Sequence, residues 1–224
     1  MAKRGSVRSG NAKASEQEFV RDTVSEAAGV HFEVVAPHPA FPLAADRLEW
    51  FMRCRNGEEI AKAPYVNAVW KERGVGIWLE SLAVGDTVDW IELAYGDEKV
   101  GESLDIDYSR FDDPSFQDDF TQRFPIVMRR IREYEQIAAD ISKKRSVKLQ
   151  IRRAGSRGML VFTVAALVQS PKSASQVSLG SAIKKNVAAM KETYQQISRL
   201  YGLSLPDVAT PPSPSSPLSD DPVP

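Results

Sequence analysis

A run of ten largely apolar residues, Met159–Val168, constrains the fold more than any other part of the sequence. It is too short to cross a bilayer as a helix, which needs about 20 apolar residues. Because both alternating sets of its residues are apolar, the run predicts a strand at the centre of a sheet. A second strand is expected at 147–152. The glycine-containing segment 154–158 between the two strands then predicts a hairpin.

Two further segments have the periodicity of helices with one buried face. Apolar residues step by three and four over residues 126–142 and again over residues 181–201. The pair Asp113–Pro114 predicts another helix start, and Pro125 must end or kink that helix. Shorter helices are expected at 16–28, where Ser15 and Glu18 have the spacing of a capping box and Gly29 fits a C-cap, and at 43–53 and 64–73.

Four other short segments favour strands. They are residues 31–36, 75–80, 87–95 and 100–108, although 87–95 also fits helical spacing. The segment 36–42 is expected to be extended or turn-like because prolines recur in it. The sequence therefore predicts an α+β protein with a mixed or antiparallel sheet of about five strands and helices packed on it.

The composition of the two ends differs from that of the middle. Proline, serine and aspartate dominate residues 203–224, which predicts a disordered C-terminal tail. Residues 1–14 are basic and lack the apolar core of a secretory signal, so we expect a flexible arm. The single cysteine, Cys54, is consistent with a reducing compartment, and we expect a cytoplasmic protein without a membrane partner.

The formal net charge of −1 conceals opposite charges on the two central parts. Residues 30–119 hold 19 acidic and 8 basic side chains, whereas residues 120–202 hold 16 basic and 4 acidic ones. We divide the chain into an acidic part, 15–119, and a basic helix–hairpin–helix part, 120–202, within one compact fold. Solubility alone favours interspersed signs, so this segregation indicates a polyanion partner or charged self-association.

The densest basic segment runs from residue 143 to residue 157 and contains no acid. In a strand over 147–152, Lys148 and Arg152 would share the outer face. Arginine side chains bind phosphate with two parallel hydrogen bonds, so DNA or RNA is one possible partner, while the acidic part of the same or another chain is the other. The candidate polyanion-binding residues are Lys143, Lys144, Arg145, Lys148, Arg152, Arg153 and Arg157.

Signals for catalysis are weaker. His31, His38 and Cys54 lack the ligand spacing of a zinc site, and the Ser181-x-x-Lys184 match is explained by Ser181 as a helix N-cap. On a strand over 100–108, Asp105 and Asp107 would share one face and could hold Mg²⁺. Further carboxylates follow at Asp112, Asp113, Asp118 and Asp119. We predict no catalytic residue, and no cofactor unless that magnesium site forms.

These observations support three functional hypotheses. The first is a non-enzymatic binding or assembly protein that forms a homo-oligomer, or docks partners, through opposite-charge faces. Such a head-to-tail contact joins two different surfaces and gives rings or filaments. The alternatives are a nucleic-acid-binding protein that uses the basic hairpin, and a Mg²⁺-dependent phosphotransfer or nuclease enzyme built on Asp105 and Asp107.

Overall fold

The computed structural model describes residues 8–36, 48–169 and 175–200, with only the backbone described for residues 8–15. The described chain contains seven α-helices and a six-stranded antiparallel sheet. The helices are α1 (Arg8–Ala28), α2 (Gly57–Lys62), α3 (Thr87–Tyr95), α4 (Asp97–Leu104), α5 (Pro114–Arg123), α6 (Pro125–Arg145) and α7 (Gln176–Leu200). The strands are β1 (Glu33–Val34), β2 (Leu48–Arg53), β3 (Ala68–Glu72), β4 (Gly76–Asp86), β5 (Leu149–Ser156) and β6 (Met159–Val168).

The sheet has the strand order β1-β2-β3-β4-β6-β5, and each neighbouring pair is antiparallel. The predicted fold class is therefore confirmed, as is the hairpin formed by β5 and β6. Strand β6 lies between β4 and β5, inside the sheet, as its apolar run predicts. One alternating set of its side chains is completely buried or nearly so: Leu160, Phe162, Val164, Ala166 and Val168.

The buried set of β6 faces a layer of helices. The indole of Trp90 on α3 stacks on Phe162 with ring centroids 4.5 Å apart, and it meets Tyr134 of α6 edge-on at 4.7 Å. Helix α7 packs against α6, β6 and α1. Glu16 of α1 joins this side of the sheet through an ion pair of 2.7 Å with Lys71 of β3. The hydrophobic core lies between this layer and the sheet. None of the described helices combines the length and apolar character needed to cross a membrane.

The long helices form where their periodicity predicts them. The expected inward residues of α6 are all buried: Val127, Ile131, Tyr134, Ala138 and Ile141. Asp113 caps α5 with Pro114 at its first position, and Pro125 begins the next helix, α6. Gly29 follows α1 with a φ of 75°, a left-handed conformation that suits glycine at a helix end.

Two predicted helices are wrong, because the described parts of 43–53 and 64–73 contain strands β2 and β3. These strands bury neighbouring residues on opposite faces, as Phe51 with Met52 and Val69 with Trp70 show. Adjacent apolar pairs of this kind imitate the three-to-four spacing of a helix. Residues 43–47, like most of the predicted extended segment 36–42, lie outside the described residues.

Two predicted strands are wrong as well. Residues 87–95 form α3, the helical alternative for that segment, which Asp86 begins by accepting a hydrogen bond of 2.9 Å from the backbone N–H of Asp89. Most of 100–108 belongs to α4, followed by a 3₁₀ turn at Tyr108–Arg110. Asp105 therefore ends a helix and Asp107 caps the turn, so the two do not share a strand face.

The starts of two helices also differ from prediction. Helix α1 begins at Arg8, so it includes the end of segment 1–14, and Ser15 is not its N-cap. Helix α7 begins at Gln176, which places Ser181 inside the helix and not at its cap. The predicted tail, 203–224, and the predicted end of the last helix at residues 201–202 lie outside the described residues.

Candidate interaction surfaces

The short elements between β4 and α6 carry a continuous series of exposed acids, which we call the acidic surface. Local sequence signals set the ends of these elements. Asp86 caps the start of α3, and Gly96, which adopts a positive φ of 75°, lies between α3 and α4. Helices α3, α4 and α5 each have a buried side and a side that faces solvent. The ten exposed carboxylates belong to Asp89, Glu92, Asp97, Glu98, Glu102, Asp105, Asp107, Asp112, Asp118 and Asp119.

Few of these carboxylates are neutralised within the described chain. Glu102 and Asp119 lie 3.8 and 3.9 Å from the guanidinium of Arg123, and Asp112 lies 3.9 Å from that of Arg153. Glu102 also pairs with Lys99 at 3.4 Å. The other seven make no ion pair with any described residue: Asp89, Glu92, Asp97, Glu98, Asp105, Asp107 and Asp118.

Electrostatics on the acidic surface differs from one carboxylate to the next. Partial desolvation, together with the negative charges of Asp86 and Glu92, raises the pKa of Asp89. Hydrogen bonds from the hydroxyl and backbone N–H of Ser109 lower the pKa of Asp107 instead. Asp107 is thus occupied as the cap of the 3₁₀ turn, where its Oδ1 accepts those bonds at 2.7 and 3.1 Å.

An aromatic cluster holds the acidic surface to the rest of the fold. Phe120 of α5 is its centre, with ring centroids 5.7 Å from Tyr108, 5.5 Å from Phe111 and 4.9 Å from Phe124. The hydroxyl of buried Tyr108 lies 2.8 Å from that of Ser103 on α4. The acidic residues are therefore attached to an ordered core and form a fixed arrangement.

The structure uses four of the seven predicted basic residues in ion pairs within the chain. At the end of α6, Lys144 and Arg145 both contact Glu192 of α7, at 2.8 and 2.5 Å. Their hydrogen bonds lower the pKa of Glu192. This arrangement joins the end of α6 to α7 and takes two cations out of the predicted polyanion-binding set.

The other two paired arginines are neighbours on β5 that point to opposite faces of the sheet. Arg153 lies on the helix side, where it contacts Glu135 of α6 and packs over Phe111 with its guanidinium carbon 5.4 Å from the ring centroid. Arg152 points the other way. The remaining members of the set, Lys143, Lys148 and Arg157, are exposed and make no ion pair with the described residues.

Arg152 belongs to a cluster that sequence analysis missed, which we call the Trp–Arg face: Trp70, Trp78, Glu80, Arg152 and Thr163. Trp70 and Trp78 are directly opposite each other on β3 and β4, with stacked rings whose centroids are 6.2 Å apart. The guanidinium carbon of Arg152 lies 5.4 Å from the Trp70 ring centroid and 5.9 Å from that of Trp78. Cation–π attraction favours this placement.

Glu80 lies beside the two tryptophans and is largely buried, with 11% of its side chain exposed. Its Oε1 accepts a hydrogen bond of 2.8 Å from the hydroxyl of Thr163 and lies 3.8 Å from the Arg152 guanidinium. Burial raises the pKa of Glu80, while Thr163 and Arg152 act in the opposite direction. In the Trp–Arg face, the largely buried carboxylate of Glu80 therefore lies beside a guanidinium that is stacked on the two tryptophans.

The surroundings of the Trp–Arg face are apolar and only partly covered. Leu167 of β6 is paired with Trp78 and half-buried, and Ala165 is paired with Glu80. Contacts of sheet side chains with α1, α3 and α6, such as Trp90 with Phe162, involve the opposite side of the sheet. Trp70 is 3% exposed, whereas Trp78 is partly exposed, and its indole N–H finds no hydrogen-bond partner among the described residues.

A hairpin interpretation of residues 68–80 would have found the tryptophan pair of this face. Trp70 and Trp78 are equally distant from Gly74, which adopts a φ of 75° in the turn between β3 and β4. Reading residues 64–73 as a helix hid that symmetry. The contribution of Arg152 comes through β6 and depends on a pairing 83 residues apart in sequence, between Glu80 and Thr163.

The features considered for catalysis do not converge. Among the described residues, no group of three His, Cys, Asp or Glu side chains could hold a metal ion, and the strand proposed to pair Asp105 with Asp107 does not form. Cys54 is buried with Glu59 nearby, and burial raises the pKa of its thiol. The Lys184 ammonium is bonded to Glu26 at 2.8 Å, and His38 lies outside the described residues.

Comparison with protein-family models, with curated proteins and with solved structures found no match for this chain. Its function is therefore inferred from its own surfaces.

Proposed function

We propose that this protein has a non-catalytic assembly function and self-associates by placing the acidic surface of one copy against exposed basic residues of another. The observation that carries the proposal is the set of seven exposed carboxylates on α3, α4, α5 and their connections that make no ion pair with a described residue. Like charges concentrated on one surface repel one another, and an oppositely charged partner relieves that repulsion. The rigid aromatic cluster beneath them favours a defined contact.

The chain itself offers the complementary charge. Eight exposed basic residues make no ion pair with described residues: Lys62, Arg132, Lys143, Lys148, Arg157, Lys185, Lys191 and Arg199. Arg157 adjoins the acidic surface, because it forms an isolated β-bridge with Asp107, and the other seven lie outside that surface. We assign the contact to Lys143, at the end of α6, and Lys148, just before β5. Because the acidic and basic groups occupy different parts of one molecule, contact between copies is head-to-tail. Assemblies of this kind close into rings or extend as filaments.

The nucleic-acid hypothesis receives less support. Lys144, Arg145, Arg152 and Arg153 already have carboxylate partners, which leaves three of the seven predicted residues for phosphate. A smaller number of cations gives weaker and less salt-sensitive binding to a polyanion.

Light scattering after size-exclusion chromatography of nuclease-treated protein tests the proposal. We expect oligomers at about 50 mM salt that dissociate at about 0.5 M, where screening shortens the reach of exposed charges. The double variant Lys143→Glu with Lys148→Glu should dissociate at lower salt than the parent. The matched control, Lys62→Glu with Arg199→Glu, makes the same change in net charge at two exposed, unpaired positions of the described chain away from β5 and should assemble like the parent.

A parent protein that is monomeric at about 50 mM salt and about 100 µM would overturn the proposal. Equal weakening by the control variant would also contradict it, because net charge rather than a defined surface would then explain the association. Loss of the oligomer on nuclease treatment would transfer support to nucleic-acid binding.

A further inference from the structure

We propose that the Trp–Arg face receives the acidic surface of a second copy, with Leu93 and Leu104 of that copy packed against Trp78. This inference rests on the proposed assembly function and identifies the two surfaces that meet. It adds an apolar contact that would fix the orientation of the two copies, which charge attraction alone would not.

The acidic surface carries two large apolar side chains that the fold leaves in solvent. Leu93 of α3 is 59% exposed and Leu104 of α4 is 53% exposed. Carboxylates stand next to them in the chain: Glu92 beside Leu93, and Asp105 beside Leu104. Apolar side chains surrounded by a charged rim have the composition of a protein–protein contact.

The Trp–Arg face supplies the matching groups. Trp78 and its neighbour Leu167 are half-buried, so their remaining apolar area can be covered by leucine side chains. Tryptophan and arginine are the residue types that most often dominate binding energy at protein interfaces.

Arg152 gives the contact its charge complementarity. Its side chain is 40% exposed, and its one ion pair with a described residue, Glu80, has a separation of 3.8 Å. A guanidinium has five N–H donors in a planar fork, so most of them remain for a carboxylate such as Asp105 or Glu92 of the other copy. Exposed Lys148, just before β5, places a second positive charge near the same strand.

A second copy fits this face better than a nucleic-acid strand does. Single strands bind through several aromatic side chains on which successive bases stack. Here Trp70 is 3% exposed and covered by Arg152, which leaves Trp78 as the accessible ring of the pair.

A complementation experiment tests the proposed contact. The first variant, Leu93→Ser with Leu104→Ser, keeps the Trp–Arg face but removes the two leucines. The second, Trp78→Ala, keeps the leucines but removes their receiving ring. Each variant alone should self-associate at least about tenfold more weakly than the parent, as loss of a central interface residue predicts. An equimolar mixture should form a 1:1 heterodimer, because one intact surface of each kind remains.

The matched control is Val34→Ser with Val177→Ser, which replaces two exposed apolar residues outside both surfaces. It should assemble like the parent. Thermal melting establishes that each variant is folded, and Arg152→Gln replaces Trp78→Ala in the mixture if the latter fails to fold.

The outcomes separate this inference from the proposed function. If the parent is monomeric, the assembly proposal itself is wrong. If the parent assembles in a salt-dependent manner while folded variants of both kinds assemble equally well, assembly stands but these are not the surfaces. Two folded, monomeric variants that form no heterodimer on mixing would also overturn the contact, as would a parent oligomer that disappears on nuclease treatment.

Discussion

Gly155 of β5 is the position where one added carbon should most disturb the contact between the basic hairpin and the 3₁₀ turn of the acidic surface. A Cβ built on Gly155 would lie 2.2 Å from the backbone oxygen of Tyr108 and 2.6 Å from its carbonyl carbon. Cβ atoms essentially never approach another atom within 3.0 Å, so Gly155→Ala must move the 3₁₀ turn away from β5 by about 0.8 Å. The turn cannot move freely, because buried Tyr108 is fixed by Ser103 and Phe120.

Overpacking of this kind costs roughly 1–3 kcal/mol, and we expect the upper end because the contact is with backbone. For a chain of this size the melting temperature should fall by about 2–4 °C for each kcal/mol, or roughly 6–12 °C in total. Differential scanning calorimetry at neutral pH measures the change.

The matched control is Gly101→Ala in α4, where an added Cβ has nothing within 4 Å. Alanine is a better helix former than glycine by about 1 kcal/mol, so this variant should melt slightly above the parent. If Gly155→Ala melts within about 1 °C of the parent, the close approach of the turn to β5 does not exist.

Three further predictions concern the buried and capping groups. Because burial raises the pKa of Glu80, this residue favours folding most at low pH, and the benefit is lost as pH rises above the ordinary value of 4.5 through the raised one. The melting temperature of Glu80→Gln relative to the parent should therefore increase between about pH 4 and pH 7, and a constant difference would contradict the burial of the charge. Hydrogen bonds from Ser115 and Arg110 lower the pKa of Asp113, so its contribution should be lost as pH falls below the ordinary value of 3.8. Asp113→Asn keeps a cap acceptor and should show less loss of melting temperature in that acidic range, whereas identical pH profiles would refute this role. Phe120→Ala removes the centre of the aromatic cluster and should cost about 3–5 kcal/mol by urea unfolding, and a cost below about 1 kcal/mol would mean that the cluster is not packed as described.

The sequence could predict elements whose signal repeats over many residues. Helix α6 buries all five positions that its periodicity predicts, and the hairpin of β5 and β6 combines a long apolar run with a glycine-containing turn. The predicted helix at 64–73 failed because strand β3 is buried on both faces, so the two-residue period disappears. The strand predicted at 87–95 is a helix whose Asp86 cap could have been recognised beforehand.

The interaction surfaces were predictable only where charge alone defines them. The acidic series on α3, α4 and α5 is contiguous in the chain, so the charge count pointed to it even though its secondary structure was assigned incorrectly. The partners of the basic residues were not predictable, because Glu192 is 47 residues from Arg145 and Glu135 is 18 residues from Arg153. The Trp–Arg face needs three strand pairings at once, and no local pattern records them.

The position of β5 at the border of the sheet limits how copies can join. Unsatisfied backbone groups along a border strand invite another strand to pair, which is a common route to aggregation. Here Arg152 and Arg153 project to the two sides of β5, with Arg157 just beyond its end, so two β5 strands aligned beside each other would bring arginines together. Growth of a shared sheet through this border is thereby discouraged, and copies that meet at β5 are expected to do so through side chains rather than through backbone pairing.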